Sequence, residues 1–118
     1  MYSLPKDINL EKIKNETISQ IAFGINYVLL VFTKSSIQFS GPFSFKSKGR
    51  IETRDEVYPV DFDFGLLQLL EHKITHINCS SERTSIVIVF EDGSELSILS
   101  SEMYESYEIN MDGERIIV

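Results

Sequence analysis

With 118 residues, 42% of them hydrophobic and 11% aromatic, the chain is sized and composed for one globular domain spanning 1–118, and no apolar run approaches the ~20 residues that cross a bilayer. Eighteen acidic residues against 11 basic give a formal charge of -7, which disfavours phosphate backbones and anionic lipid as partners and favours a basic protein, or simply keeps a small protein soluble. One cysteine, Cys79, excludes an internal disulfide, and the start Met-Tyr-Ser-Leu-Pro-Lys-Asp lacks the pattern of a secretory signal, so a cytoplasmic protein is expected.

Asn9 or Asp7 can cap a short helix over Leu10 to Lys14 that buries Leu10 and Ile13. Thr17 to Phe23 reads as a strand, Gly24 to Asn26 as a turn, and Tyr27 to Phe32 as a second strand of β-branched and aromatic residues. A two-residue turn at Lys34-Ser35 would set Leu30 opposite Phe39 and Phe32 opposite Ile37. The alternation continues across Gly41-Pro42 to Phe43 and Phe45, and Pro42, which donates no ladder hydrogen bond, bends that strand or places it at an edge. Lys46 to Glu56 is the most polar stretch and reads as a loop or long hairpin tip.

Leu66, Leu67, Leu69 and Leu70 have helical spacing, with Asp63 as a candidate cap, and strands follow at Lys73 to Cys79, Ser85 to Phe90 and Glu95 to Leu99. Thr84 to Ser100 is the stretch around which the chain is organised. Its Asp92-Gly93 pair predicts a type I′ hairpin with Val89 opposite Leu96 and Val87 opposite Ile98, leaving Ile86, Ile88 and Phe90 on a second greasy face. A last strand at Arg115 to Val118 follows an Asp112-Gly113 turn.

The two halves of the chain match: Leu10 with Leu66, Ile13 with Leu69, Ile18 with Ile74, Ile21 with Ile77. A short helix and three strands thus occur twice, over 10–45 and 66–100, either as a duplicated unit stacked on its copy or as an accident of apolar alternation. The expected fold is mainly β with one or two short helices, its two antiparallel sheets packed as a sandwich or a partly open barrel.

Chemistry is sparse. His72 and His76 fall on a strand, where positions four apart are ~13 Å distant, too far for one metal at ~2 Å bonds. Cys79 lies on the opposite strand face from His76 and reads as a small buried residue, and Ser80 and Ser81 lack a nucleophile elbow. Asp61-Phe-Asp-Phe-Gly65 fails as a calcium loop because Gly65 and His72 stand where carboxylates are required. No catalytic residue, cofactor or metal is expected. The acidic residues Glu91, Asp92, Glu95, Glu102, Glu105 and Glu108, with Tyr104 and Tyr107, compose a surface suited to a basic protein, tyrosine supplying anchoring area and carboxylates steering. The alternative is a solvated face with both tyrosines turned inward.

Taken in order, Ile37-Gln-Phe-Ser-Gly-Pro-Phe-Ser-Phe45, Leu66-Leu-Gln-Leu-Leu70 with Lys73-Ile-Thr-His-Ile77, Ile86 to Ile98 around Glu91-Asp-Gly-Ser94, and Tyr104-Glu-Ser-Tyr-Glu-Ile109 resemble a family of small bacterial proteins similar to the immunity proteins of contact-dependent growth inhibition and related polymorphic toxin systems. The resemblance covers residues 18–118, and departs at Glu71-His72, where a glycine is usual, and at Tyr107, where a tryptophan is common. It implies no catalytic residues. It implies an immunity protein that binds and occludes a cognate toxin domain, a basic nuclease, with the free chain monomeric or homodimeric. The rival expectation is a homo-oligomeric or ligand-binding β-domain without a toxin partner.

Overall fold

The computed structural model of the chain describes residues 4–5, 8–62, 65–100, 106–111 and 113–118. Among the described residues ten strands and two short 3-10 helices run in the order η1 (Leu10–Lys12), β1 (Gln20–Phe23), β2 (Val28–Val31), β3 (Ser36–Phe39), β4 (Phe43–Ser47), β5 (Arg50–Arg54), η2 (Leu66–Leu69), β6 (Ile74–Cys79), β7 (Ile86–Phe90), β8 (Glu95–Ile98), β9 (Tyr107–Met111) and β10 (Glu114–Ile117). They form two antiparallel five-stranded sheets, β1-β2-β3-β9-β10 and β5-β4-β8-β7-β6. Strict burial alternation in β7 and β9, and in their respective partners β8 and β3, directs one face of each sheet into a shared hydrophobic core.

The two sheets have the same plan. A 3-10 helix precedes a three-stranded meander, β1-β2-β3 in one half and β6-β7-β8 in the other, and the hairpin that follows each meander crosses over to complete the other half's sheet. Thus β9 pairs with β3, and β4 pairs with β8. The halves also meet across an approximate two-fold axis at a lone bridge between Thr17 and Lys73, which are themselves equivalent positions. Around it the Asn15 and Glu71 amides donate to the Ile74 and Ile18 carbonyls at 2.9 and 2.8 Å, and the Ile18 and Ile74 amides to the His72 and Glu16 carbonyls at 3.2 and 2.9 Å. Each bond has its mate under exchange of the halves, and the hairpins β4–β5 and β9–β10 take equivalent places in the two sheets. No continuous ladder closes the sheets into a barrel among the described residues.

The crossover after β3 shows how sequence forces this exchange. Pro42 ends the pairing of that strand, and the Ser40 and Gly41 amides both donate to the Ser106 carbonyl, at 2.8 and 3.2 Å. A Cβ on Gly41 would stand 2.7 Å from the Ser106 Cβ, so only glycine admits this approach. Phe43 then enters the second sheet with its ring 5.1 Å from that of Phe39 and 5.5 Å from that of Phe62.

Several expectations need correction. The central hairpin pairs Ile88 with Leu96 and Ile86 with Ile98, one residue away from the expected register. Its loop has three residues, Glu91-Asp92-Gly93: the Gly93 amide donates to the Phe90 carbonyl, Gly93 takes φ +89°, and the Asp92 carboxylate accepts from the Ser94 amide at 2.9 Å. The one-residue difference gathers Ile86, Ile88, Phe90, Leu96 and Ile98 on the core face and leaves Val87 and Val89 half-buried, so the hairpin has one greasy face rather than two.

In the first half the turn lies at Thr33-Lys34, giving Val28 opposite Phe39 and Leu30 opposite Ile37. That two-residue difference preserves which side chains face inward. The leucine-rich segment is a 3-10 helix that buries only Leu66 and Leu69, since three residues per turn bring positions i and i+3 to one face. Gly65, at φ +81°, occupies its N-cap position without a side-chain cap, while Asp63 and Asp7 lie outside the described residues. Asn9 caps η1 as expected, accepting from the Glu11 amide at 3.2 Å. The polar stretch at Lys46 to Glu56 is a hairpin, with Lys48 and Gly49 both at positive φ in the turn between β4 and β5.

Candidate interaction surface

The acidic cluster divides between the sheets. Glu91 and Asp92 stand exposed in the β7–β8 loop and Glu95 begins β8, whereas Glu108 lies on β9 of the other sheet. Glu102, Tyr104 and Glu105 lie outside the described residues. The loop carboxylates are held in place. The Glu91 amide donates to the Lys73 carbonyl at 2.9 Å, its carboxylate accepts from the Lys73 amide at 3.3 Å, and Asp92 lies 3.7 Å from the His72 imidazole. Glu95 pairs with Lys46 at 3.8 Å, and Glu108 pairs with Arg115. The equivalent loop of the first half is clamped in the same way: Thr33 accepts from the Thr17 amide, and Glu16 accepts from the Lys34 amide at 2.7 Å.

Tyr107 does not belong to an exposed surface. It is 4% exposed, packs inward with Ile109 and Met111, and donates its hydroxyl to the Thr84 carbonyl at 2.9 Å. That bond ties β9 to the loop before β7, in the other sheet. Burial first, and the neighbouring Cys79 sulfur second, push the phenol well above its ordinary range. A raised phenol favours the folded chain while both states are protonated. Once pH passes about 10 the unfolded chain ionises and the folded one resists, so this contribution is lost as pH rises. Tyr107→Phe is expected to cost about 1 kcal/mol at neutral pH. Urea melts of both proteins between neutral and strongly alkaline pH should show the gap between them shrinking above pH 10.

Cys79 is exposed on β6, not buried as expected, because the strand's inward positions there are taken by Ile74 and Ile77. His76 is also exposed, its Nδ1 3.3 Å from the Thr75 hydroxyl. Among the described residues no three histidine, cysteine or carboxylate side chains gather as metal ligands.

The two-fold plan exposes a feature that reading the chain missed. Each exchanged hairpin forms a groove with the segment entering one of the two 3-10 helices, β9–β10 with the lead into η1 and β4–β5 with the lead into η2. One is lined by Met111, Glu114, Ile116, Pro5, Ile8 and Asn9, and is a cleft of about 150 Å³. Its counterpart, lined by Ser47, Arg50, Glu52, Asp61, Gly65 and Gln68, opens to about 860 Å³. Where the first has Met111 and Ile116, the second has Ser47 and Glu52. Ion pairs organise its walls: Arg50 with Glu52 at 2.8 Å, and Arg54 with Asp61 at 2.7 Å. Arg54 also donates to the Pro59 carbonyl and stacks 4.5 Å above the Phe62 ring. The signal in the sequence is the replacement of two apolar positions, Met111 and Ile116, by Ser47 and Glu52 once the two halves are followed into their hairpins.

No family model, no curated protein and no solved structure matches the chain. The fold and surface define a two-sheet β protein with internal two-fold organisation. Among the described residues no helix is long and apolar enough to cross a membrane.

Proposed function

We propose that the chain is a cytoplasmic immunity protein that binds and neutralises the toxin domain of a contact-dependent growth inhibition effector, a basic nuclease, by occluding its active or substrate-binding surface. The observation that carries this reading is the carboxylate-tipped β7–β8 loop, whose Glu91 and Asp92 are exposed yet fixed through Lys73, Ser94 and His72. Carboxylates already immobilised lose little entropy on meeting a cationic partner, and the net charge of -7 steers that encounter. Glu95 extends the same acidic end, and Glu102, Tyr104 and Glu105 follow it in the chain.

The test is binding to the toxin domain encoded beside this reading frame. Wild-type protein should form a 1:1 complex and suppress the toxin's activity. Glu95→Lys and Glu105→Lys together should slow association about tenfold and flatten its salt dependence. Association unchanged by both reversals would rule out the acidic surface as the contact. Failure of the neighbouring domain to bind the wild type would rule out the immunity reading.

The open groove favours a second reading, a ligand-binding β-domain without a toxin partner, because about 860 Å³ lies within the range of small-molecule sites. A ligand there should protect Arg50 from modification, and a toxin held only by the acidic loop would not.

A further inference from the structure

We infer that β5 is a self-association edge, and that its occupant is the β5 of a second copy of this chain, paired antiparallel about a two-fold axis through Ile51. This inference stands independently of the toxin reading. β5 ends its sheet and pairs only with β4. Ser47 lies opposite Arg50 across the two-residue Lys48-Gly49 turn, and such a flanking pair exchanges both of its backbone hydrogen bonds. Counting along the strand, Arg50, Glu52 and Arg54 direct their backbone groups toward β4. Ile51 and Thr53 direct theirs outward, and among the described residues no loop or turn bonds to them. Ile51 is also 65% exposed, an apolar side chain on an edge strand whose other residues are charged or, at Thr53, polar.

The charges select the register. Pairing centred on Glu52 would set Glu52 against Glu52 and Arg50 against Arg54 of the second copy, like charges directly opposed. Pairing centred on Thr53 would set Ile51 against Asp55, and although it opposes Glu52 and Arg54 it would draw Arg54 away from Asp61 and from the Glu56 and Pro59 carbonyls that already hold it. Pairing centred on Ile51 sets Ile51 against Ile51 on the outer face and Arg50 against Glu52 twice on the inner face. It also matches the outward backbone groups of Ile51, which exchange both bonds with their mate across the axis. The strand is therefore complementary to itself in this register without breaking the contacts that hold Arg54, and the two open grooves adjoin across the axis. So short a ladder is a weak contact, formed at about tens of micromolar and above.

Sedimentation velocity on the full chain from about 5 to about 500 µM tests the proposal. The expected result is a concentration-dependent dimer. Arg50→Glu alone and Glu52→Arg alone each oppose like charges and should weaken association at least about fivefold, and the double exchange should restore it. Both residues are solvent-accessible, so thermal melts should show all three variants folded. In a Cys79→Ser background, Ile51→Cys should form a disulfide-linked dimer on mild oxidation. A monomer at every concentration overturns the proposal, as does a dimer indifferent to both single reversals. A monomer whose binding to a toxin domain is lost on Ile51→Lys also overturns it, by assigning the edge to a partner's strand instead.

Discussion

Phe43→Ala is expected to destabilise the fold by about 3–5 kcal/mol, the ordinary cost of emptying a phenylalanine site in a packed core. Phe43 is fully buried where the chain passes from one sheet to the other, its ring against Phe39 before the crossover and Phe62 beyond the hairpin. Its ring neighbours, on two different segments, cannot collapse together into the space, because β3 and β4 belong to different sheets and the Gly41–Ser106 contact fixes their approach. A domain of this size has about 5–15 kcal/mol in total, so the loss removes a large share. Urea denaturation measures it directly: the midpoint should fall sharply with little change in slope, and Phe43→Leu should cost less than half as much. A loss below about 1 kcal/mol would mean that Phe43 does not hold the crossing.

The period-two alternation in Ile37-Gln-Phe39, Phe43-Ser-Phe45 and Ile86-Val-Ile-Val-Phe90 made the β class and the strands legible, because burial on one face selects residues two apart. The repeat was legible for the same reason: Leu10, Ile13 and Ile18 recur as Leu66, Leu69 and Ile74, all of them buried. The exchange of hairpins between sheets was not, since β3 meets β9 and β8 meets β4 through contacts between distant segments that leave no local pattern. For the surface, Glu91 and Asp92 announced themselves by flanking a glycine turn. Tyr107 was misplaced although it shares the alternation of Ile109 and Met111, which was the available sign that it turns inward. Arg50 and Glu52 passed as a polar hairpin tip because their importance lies in what their counterparts, Glu114 and Ile116, do in the other half.

Loop length explains the remaining difference, and it has a measurable consequence. Gly93 can serve a two-residue or a three-residue turn, and the choice decides which of two interleaved apolar sets, Ile86-Ile88-Phe90 or Val87-Val89, enters the core. The three-residue loop wins because it buries the larger set against Leu96 and Ile98, and because the Asp92 side chain satisfies the Ser94 amide. Ile88→Ala should therefore cost about 2–4 kcal/mol, and Val89→Ala, on a half-buried face, about 1 kcal/mol or less. Equilibrium unfolding of the two variants compares them directly. A greater loss at Val89 would place the hairpin in the other register and would also remove the fixed Glu91–Lys73 clamp from which the acidic loop takes its rigidity.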